Sequence, residues 1–137
     1  MKPDKLILDV NIWVSYILQK RLGDLTVLII QYDLLIYISP SLLTELEDVL
    51  QRPKISKYLT LDPQEYLNYV SSVTTLITPV QSFTSAPDPK DNFLFELGIT
   101  AGATHLVTGD KLLLERVEIA GIKIISFKAF RALYGGE

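Results

Sequence analysis

Short apolar runs alternate along this chain with longer stretches whose apolar residues recur at helical spacing. Most of the changes fall at a proline or a capping residue. Leu6–Leu8 reads as a short strand that ends at Asp9, and Ile12–Leu18 and Leu25–Tyr32 read as helices. Leu35–Ser39 reads as a strand. Ser39-Pro40 then opens a helix through Leu50, with Ser as N-cap and Pro at the first helical position. Arg52-Pro53 interrupts, a short helix is expected near Ile55–Leu59, and Asp62-Pro63 starts another through about Thr75. Leu76–Val80 is a short strand and residues 81–87 a loop. Asp88-Pro89 opens a helix reaching about Gly102. His105–Thr108 is a strand, 111–120 a helix, Ile122–Ser126 a strand, and 127–134 a closing helix.

Short apolar strands separated by helices imply a parallel sheet covered on both faces. The expected architecture is a three-layer α/β/α domain with a central parallel sheet of four to five strands. Residues 1–137 are expected to form one domain, since that length suffices for a core and no linker, repeat or low-complexity tract divides it. Hydrophobic residues at 48% and charged residues at 21% are a globular balance. The absence of cysteine excludes a disulfide framework and thiol chemistry, and it suits the reducing cytoplasm. The start MKPDK followed by apolar residues is leader-like, but Asp9 and Asn11 interrupt it and no small-residue cleavage site follows. The other apolar region, Val27–Ile38, is broken by Gln31 and Asp33 and is too short to span a bilayer, so no membrane association is expected. A net charge of −3 weighs against a general basic surface for nucleic acid, though not against a local grip on a few phosphates.

In sheets of this kind, sites form beyond the carboxyl ends of the strands. Asp9 follows the first strand, and Asp110 follows His105–Thr108 after Gly109. Asp110 also suits the N-cap of the next helix. Asp9 has apolar flanks on both sides, and burying an unpaired carboxylate is costly, so it needs a donor, a cation or a metal. Asn11 can cap the first helix or orient Asp9. In the helix from Ser39 to Leu50, Asp48 points away from the apolar face, whereas Glu45 and Glu47 border it on opposite sides; geometry does not choose between them. Asp88 fits an N-cap, and Asp91 falls where an acid can reach back in a capping box, yet it also flanks the buried face. Carboxylates converging at one edge cannot all stay ionised without cations, and oxygen-only donors suit Mg²⁺ or Mn²⁺. The single histidine, His105, begins a strand and reads as a packed or edge residue.

The stretches LDVNIWVS (8–15), SPSLLTELEDVLQRPK (39–54), DPKDNFLFEL (88–97) and HLVTGDKLLL (105–114), in that order and spacing, resemble the PIN domain family. They are most similar to its branch of toxins from toxin–antitoxin systems. The resemblance spans nearly the whole chain. It implies Asp9, Glu45, Asp91 and Asp110 as the four acids, which selects Glu45 over Glu47. Asn11, Ser15 and Thr108 match the supporting polar positions. One position departs from the pattern: where many relatives carry a further Asp, two residues after Asp110, this chain has Leu112.

What the resemblance implies is a Mg²⁺- or Mn²⁺-dependent ribonuclease, often a homodimer and often held inactive by a small antitoxin protein. Asp9, Asp91 and Asp110 would hold one or two ions, with Glu45 completing the site or positioning water. Arg52, Lys90 and Lys111 are the cations whose sequence positions allow them to hold flanking phosphates. Two alternatives compete. A phosphatase of the haloacid dehalogenase type also places an Asp after its first strand, but it wants a second Asp where Asn11 stands. A catalytically silent PIN fold acting as a binding protein is the other. The nearly apolar helix around Val27–Leu35 suits either burial within the domain or a homodimer contact.

Overall fold

The computed structural model describes residues 4–134. The first residues of the leader-like start, 1–3, and the last three residues lie outside them. Six strands form one sheet in the order β3-β2-β1-β4-β6-β5: β1 (Lys5–Leu8), β2 (Leu35–Ile38), β3 (Thr75–Leu76), β4 (His105–Val107), β5 (Glu118–Ile119) and β6 (Ile122–Ile125). All neighbours run parallel except β5 against β6. Eight α-helices join them: α1 (Val10–Leu18), α2 (Leu22–Tyr32), α3 (Pro40–Gln51), α4 (Pro53–Ser56), α5 (Pro63–Val73), α6 (Asn92–Ala101), α7 (Lys111–Arg116) and α8 (Phe127–Leu133). The result is the three-layer α/β/α fold expected from the alternation of elements.

The central strand explains the apolar run that opens the chain. Leu6, Ile7 and Leu8 are fully buried, because β1 is flanked by β2 and β4 and both its faces meet helices. Ile36, Ile38, Leu106 and Val107 extend the same core. On α3, Leu42, Leu46 and Leu50 recur every fourth residue and are all fully buried, which leaves Glu45 and Glu47 on the exposed flanks.

The sheet has one strand more than expected, and the reason is at its edge. The apolar residues of 111–120 suit a helix, yet α7 stops at Arg116. The chain then makes a two-residue hairpin through Ala120 and Gly121, both with positive φ, between β5 and β6. The strand expected over Leu76–Val80 is reduced to Thr75–Leu76. The helix opening at Asp88-Pro89 begins with one 3₁₀ turn, Pro89–Asp91, before α6. Helix α1 starts two residues earlier than expected, at Val10, because Asp9 rather than Asn11 occupies its N-cap. Helix α2 lies at the surface: Leu25 is buried, but Val27 and Ile30 are 58% and 76% exposed. No described helix is long and apolar enough to cross a membrane.

Capping sets the placement of α3. The buried Ser39 hydroxyl accepts the N–H of Leu42 at 3.1 Å, directly after β2. Ser39→Ala should cost about 1–2 kcal/mol of unfolding free energy, with the slope against urea unchanged, because one buried N–H loses its acceptor. Equilibrium urea unfolding measures this.

Candidate active site

Ligands of doubly wound sheets bind beyond the strand carboxyl ends, where the strand order reverses. The chain proceeds from β1 to β2 on one side and later lays β4 on the other, so the reversal lies between β1 and β4. Leu8 pairs with Val107 there, and the Asp9 N–H donates to the Val107 carbonyl at 2.9 Å. Asp9 and Thr108 therefore leave the sheet side by side.

A compact hydrogen-bond network fixes this edge. The fully buried Thr108 hydroxyl donates to Asp9 Oδ2 at 2.7 Å and accepts the Asp110 N–H at 3.1 Å. Asn11 Nδ2 reaches Asp9 Oδ2 at 3.4 Å, while its Oδ1 accepts the Gly109 N–H at 3.1 Å. Asn11 thus bridges the two strand ends rather than capping α1. The Val10 N–H donates to Asp9 Oδ1 at 2.7 Å. Asp110 does cap α7, accepting the Leu112 N–H at 2.9 Å, and it lines the site as well.

Asp91 arrives from the other side of the chain's length. Asp88 accepts the Lys90 N–H at 3.1 Å, and its carbonyl accepts the Asp91 N–H at 2.9 Å, closing the 3₁₀ turn. Asn92 accepts the Ala86 N–H at 3.0 Å and anchors the preceding loop. The capping box expected of Asp91 does not form, because the 3₁₀ turn carries its side chain inward. Asp91 is only 8% exposed, and its Oδ2 is buried without a hydrogen-bond partner.

These groups share one cavity of about 380 Å³. Asp9, Asn11, Glu45, Asp91 and Asp110 line it, and so do the exposed cations Arg52 and Lys90. Glu47 and Lys111 do not. Ser15 is half-buried on α1 outside the lining, and Thr108 lies beneath it. His105 stands apart, half-buried at the start of β4 beside the Thr104 hydroxyl, and burial lowers its pKa. The lining also contains Val10, Val14, Val49 and Phe93, which no reading of the acids singled out.

The electrostatics follow from burial among like charges. Burial raises the pKa of Asp9, the neighbouring charge of Asp110 adds to this, and the hydrogen bonds from Thr108, Val10 and Asn11 oppose it. Asp91 is pushed up to about 6, first by burial, then by Asp9 and Asp110, with Lys90 opposing. Among the described residues no three Asp, Glu or His side chains close into a ready coordination set. The donors are nevertheless all carboxylate oxygens, and the unpartnered Oδ2 of Asp91 lacks the hydrogen bond or cation that a buried carboxylate oxygen requires. A hard divalent cation fits that chemistry.

Comparison with known proteins adds an independent finding. The family model of the PIN domain matches residues 5–112. An uncharacterized protein of Methanocaldococcus jannaschii is 30% identical over 111 residues, covering 78% of this chain and 71% of the relative.

A raised carboxyl pKa has a definite sign for stability. The unfolded Asp ionises near pH 4, whereas folded Asp91 keeps its proton to about 6. Folding stability therefore falls as pH rises from 4 through 6, and the full penalty is present above that. Asp91→Asn should be more stable than the native chain at pH 7.5, by at most about 3 kcal/mol. The difference should shrink as pH falls through 6 and vanish by about pH 3, where Asp91 is neutral in both the folded and the unfolded chain. Paired urea titrations at the two pH values give the answer; equal stabilities at pH 7.5 would reject the assignment.

Proposed function

The chain belongs to the PIN domain family, whose members are generally nucleases, and on that premise we propose that it is a divalent-metal-dependent endoribonuclease acting at the β1/β4 edge. The observation that carries this reading is the meeting of Asp9, Glu45, Asp91 and Asp110, from four separate segments, on one cavity. Their polar supports, Asn11 and Thr108, serve no other evident purpose than to hold Asp9 and the Gly109-Asp110 backbone in register.

Asp9, Asp91 and Asp110 would hold the ion. Mg²⁺ or Mn²⁺ supplies, when bound, a water of lowered pKa and positive charge to offset that of the phosphodiester. Thr108 and Asn11 keep Asp9 oriented and, by donating to its Oδ2, favour its ionised form against the effect of burial. Asp110 is held by its bond from Leu112 N–H at the start of α7. Glu45 stands on the α3 wall, where it can orient a water approaching the phosphate. Arg52 and Lys90 oppose the repulsion that an acidic lining exerts on RNA. Lys111, the third cation considered, lies outside the lining. Leu112, where many relatives carry a further acid, is 54% exposed and contributes no oxygen to this corner.

The toxin role, with a small antitoxin as partner and the cytoplasm as its place of action, is supported by the order of the four motifs. A single domain over 1–137 is supported by the one continuous sheet. A homodimer is supported by the apolar side chains that α2 leaves exposed, Val27 and Ile30. Ile30→Asp should shift the chain from dimer to monomer in sedimentation velocity, and a native chain that sediments as a monomer would end the homodimer reading.

Purified chain with Mn²⁺ should cleave RNA, and EDTA should abolish the cleavage. Asp9→Asn and Asp110→Asn should each lower the rate at least about 100-fold with the fold intact, since each removes a charged ligand but keeps the shape. Glu45→Gln should slow cleavage, whereas Glu47→Gln should leave it unchanged. Full activity in Asp9→Asn would refute the site. No cleavage by the native chain, together with no heat on Mn²⁺ titration, would favour the catalytically silent PIN fold.

A further inference from the structure

One part of the cavity is not explained by metal and phosphate. Phe93 follows Asp91 by two residues, sits in the first turn of α6, and is half-buried at the cavity wall. Val10 and Val14 lie one helical turn apart on α1, and Val49 lies one turn beyond Glu45 on α3; all three line the same space. Metal ions and phosphates are strongly hydrated, and apolar surface beside them offers no favourable contact. Apolar lining in a polar site calls for an apolar part of the ligand.

The arrangement identifies what that part is. No other aromatic ring among the described residues packs against Phe93, whereas the neighbouring Phe95 is occupied by Phe83. Glu45 and Val49 lie one turn apart on α3, and Arg52 caps its C-terminal end in extended conformation; all three line the cavity, so this wall presents a carboxylate, an apolar surface and a cation in succession. Lys90 adds a second exposed cation one residue before Asp91. A ligand matching this series has a reacting phosphate at the acids, a flat apolar group against Phe93 and the valines, and further phosphates at the cations. A cavity of about 380 Å³ is of the size that holds one such unit.

We infer that Phe93 is the stacking platform for one unstacked base of single-stranded RNA, with Val10, Val14 and Val49 forming the apolar slot and Arg52 and Lys90 holding flanking phosphates. This inference rests on the nuclease reading for the identity of the reacting group. It adds a restriction: a base offers its face to a protein ring only when it is out of the helical stack, so duplex RNA is not accommodated. Because every base has such a face, the platform selects for strandedness and not for sequence.

Binding measured without turnover tests this separately from catalysis. In the Asp110→Asn background with Mg²⁺, the anisotropy of a labelled single-stranded RNA reports affinity. Phe93→Ala and Phe93→Leu should each weaken binding by about 10-fold, within the range of about 5- to 100-fold that loss of one base–aromatic stack gives. Phe93→Trp should bind as well as Phe. Leu keeps the apolar volume, so it remains informative should the Ala variant unfold, and thermal melts establish which variants are folded. An abasic site scanned along the RNA should, at one position, reproduce the loss and leave no further effect for Phe93→Leu. Duplex RNA should bind more weakly and be indifferent to position 93. Unchanged binding in Phe93→Leu, or duplex bound as tightly as single strand, would overturn the platform. If the stacking pattern holds while the native chain with Mn²⁺ cuts nothing, the nuclease reading fails and the platform stands. If the native chain cuts RNA and Phe93→Leu binds normally, the platform fails and the nuclease reading stands.

Discussion

The Thr108 hydroxyl is the smallest part on which the site depends. Fully buried between two strand ends, it donates to Asp9 and accepts from the backbone of Asp110, so one side chain links two segments a hundred residues apart. Its position follows from the register of β1 against β4, which pairs Leu8 with Val107. A slip of one residue would turn Thr108 and Asp9 to opposite faces of the sheet. Asn11 makes a second link over the same gap through Gly109. Sheet pairing, chosen by the burial of Leu6, Ile7 and Leu8, thereby sets the spacing of the acids.

That arrangement has an energetic cost. Asp9 and Asp91 are both 8% exposed, and each is raised in pKa by burial and by a neighbouring carboxylate. Asp9 has three donors to offset its burial, but Asp91 Oδ2 has none. The core is large enough to carry such a penalty, which for Asp91 is a few kcal/mol in a fold whose hydrophobic burial is far larger. Carboxylates perturbed by burial and by one another cluster at functional sites, and a cation bound between them would relieve the repulsion.

The asymmetry of the cavity follows from which helices reach it. The acids come from two strand ends, the flank of α3 and the 3₁₀ turn before α6, whereas the apolar lining comes from α1, α3 and α6. Each of those helices buries one face in the core and turns its margin outward. Val14, Val49 and Phe93 belong to that margin: they are continuous with the core on one side and open to the cavity on the other. Acids at helix margins have the same origin. Glu45 reaches the cavity because it lies on the flank of α3 that also brings Val49 to the lining, alongside Val10 and Val14 of α1, and Glu47 borders the other side.

Local sequence decided the element types and most of their ends, since strand length, helical periodicity, Ser39-Pro40, Asp62-Pro63 and the acids at strand ends are all written in nearest-neighbour chemistry. It also singled out Asp9, a carboxylate between apolar flanks, whereas the set of Asp9, Glu45, Asp91 and Asp110 came only from the resemblance of the four motifs. The hairpin of β5 and β6 was hidden, since Leu112–Ile119 suits a helix and only pairing with β6 makes its end a strand. The inward turn of Asp91 was hidden too: a capping box and a buried carboxylate share one local pattern, and the packing of α6 against β1 and β2 chose between them. Which glutamate of α3 meets the cavity and what else lines it, Phe93 above all, were decided only by tertiary structure, because they depend on how helices far apart in sequence are rotated against one sheet.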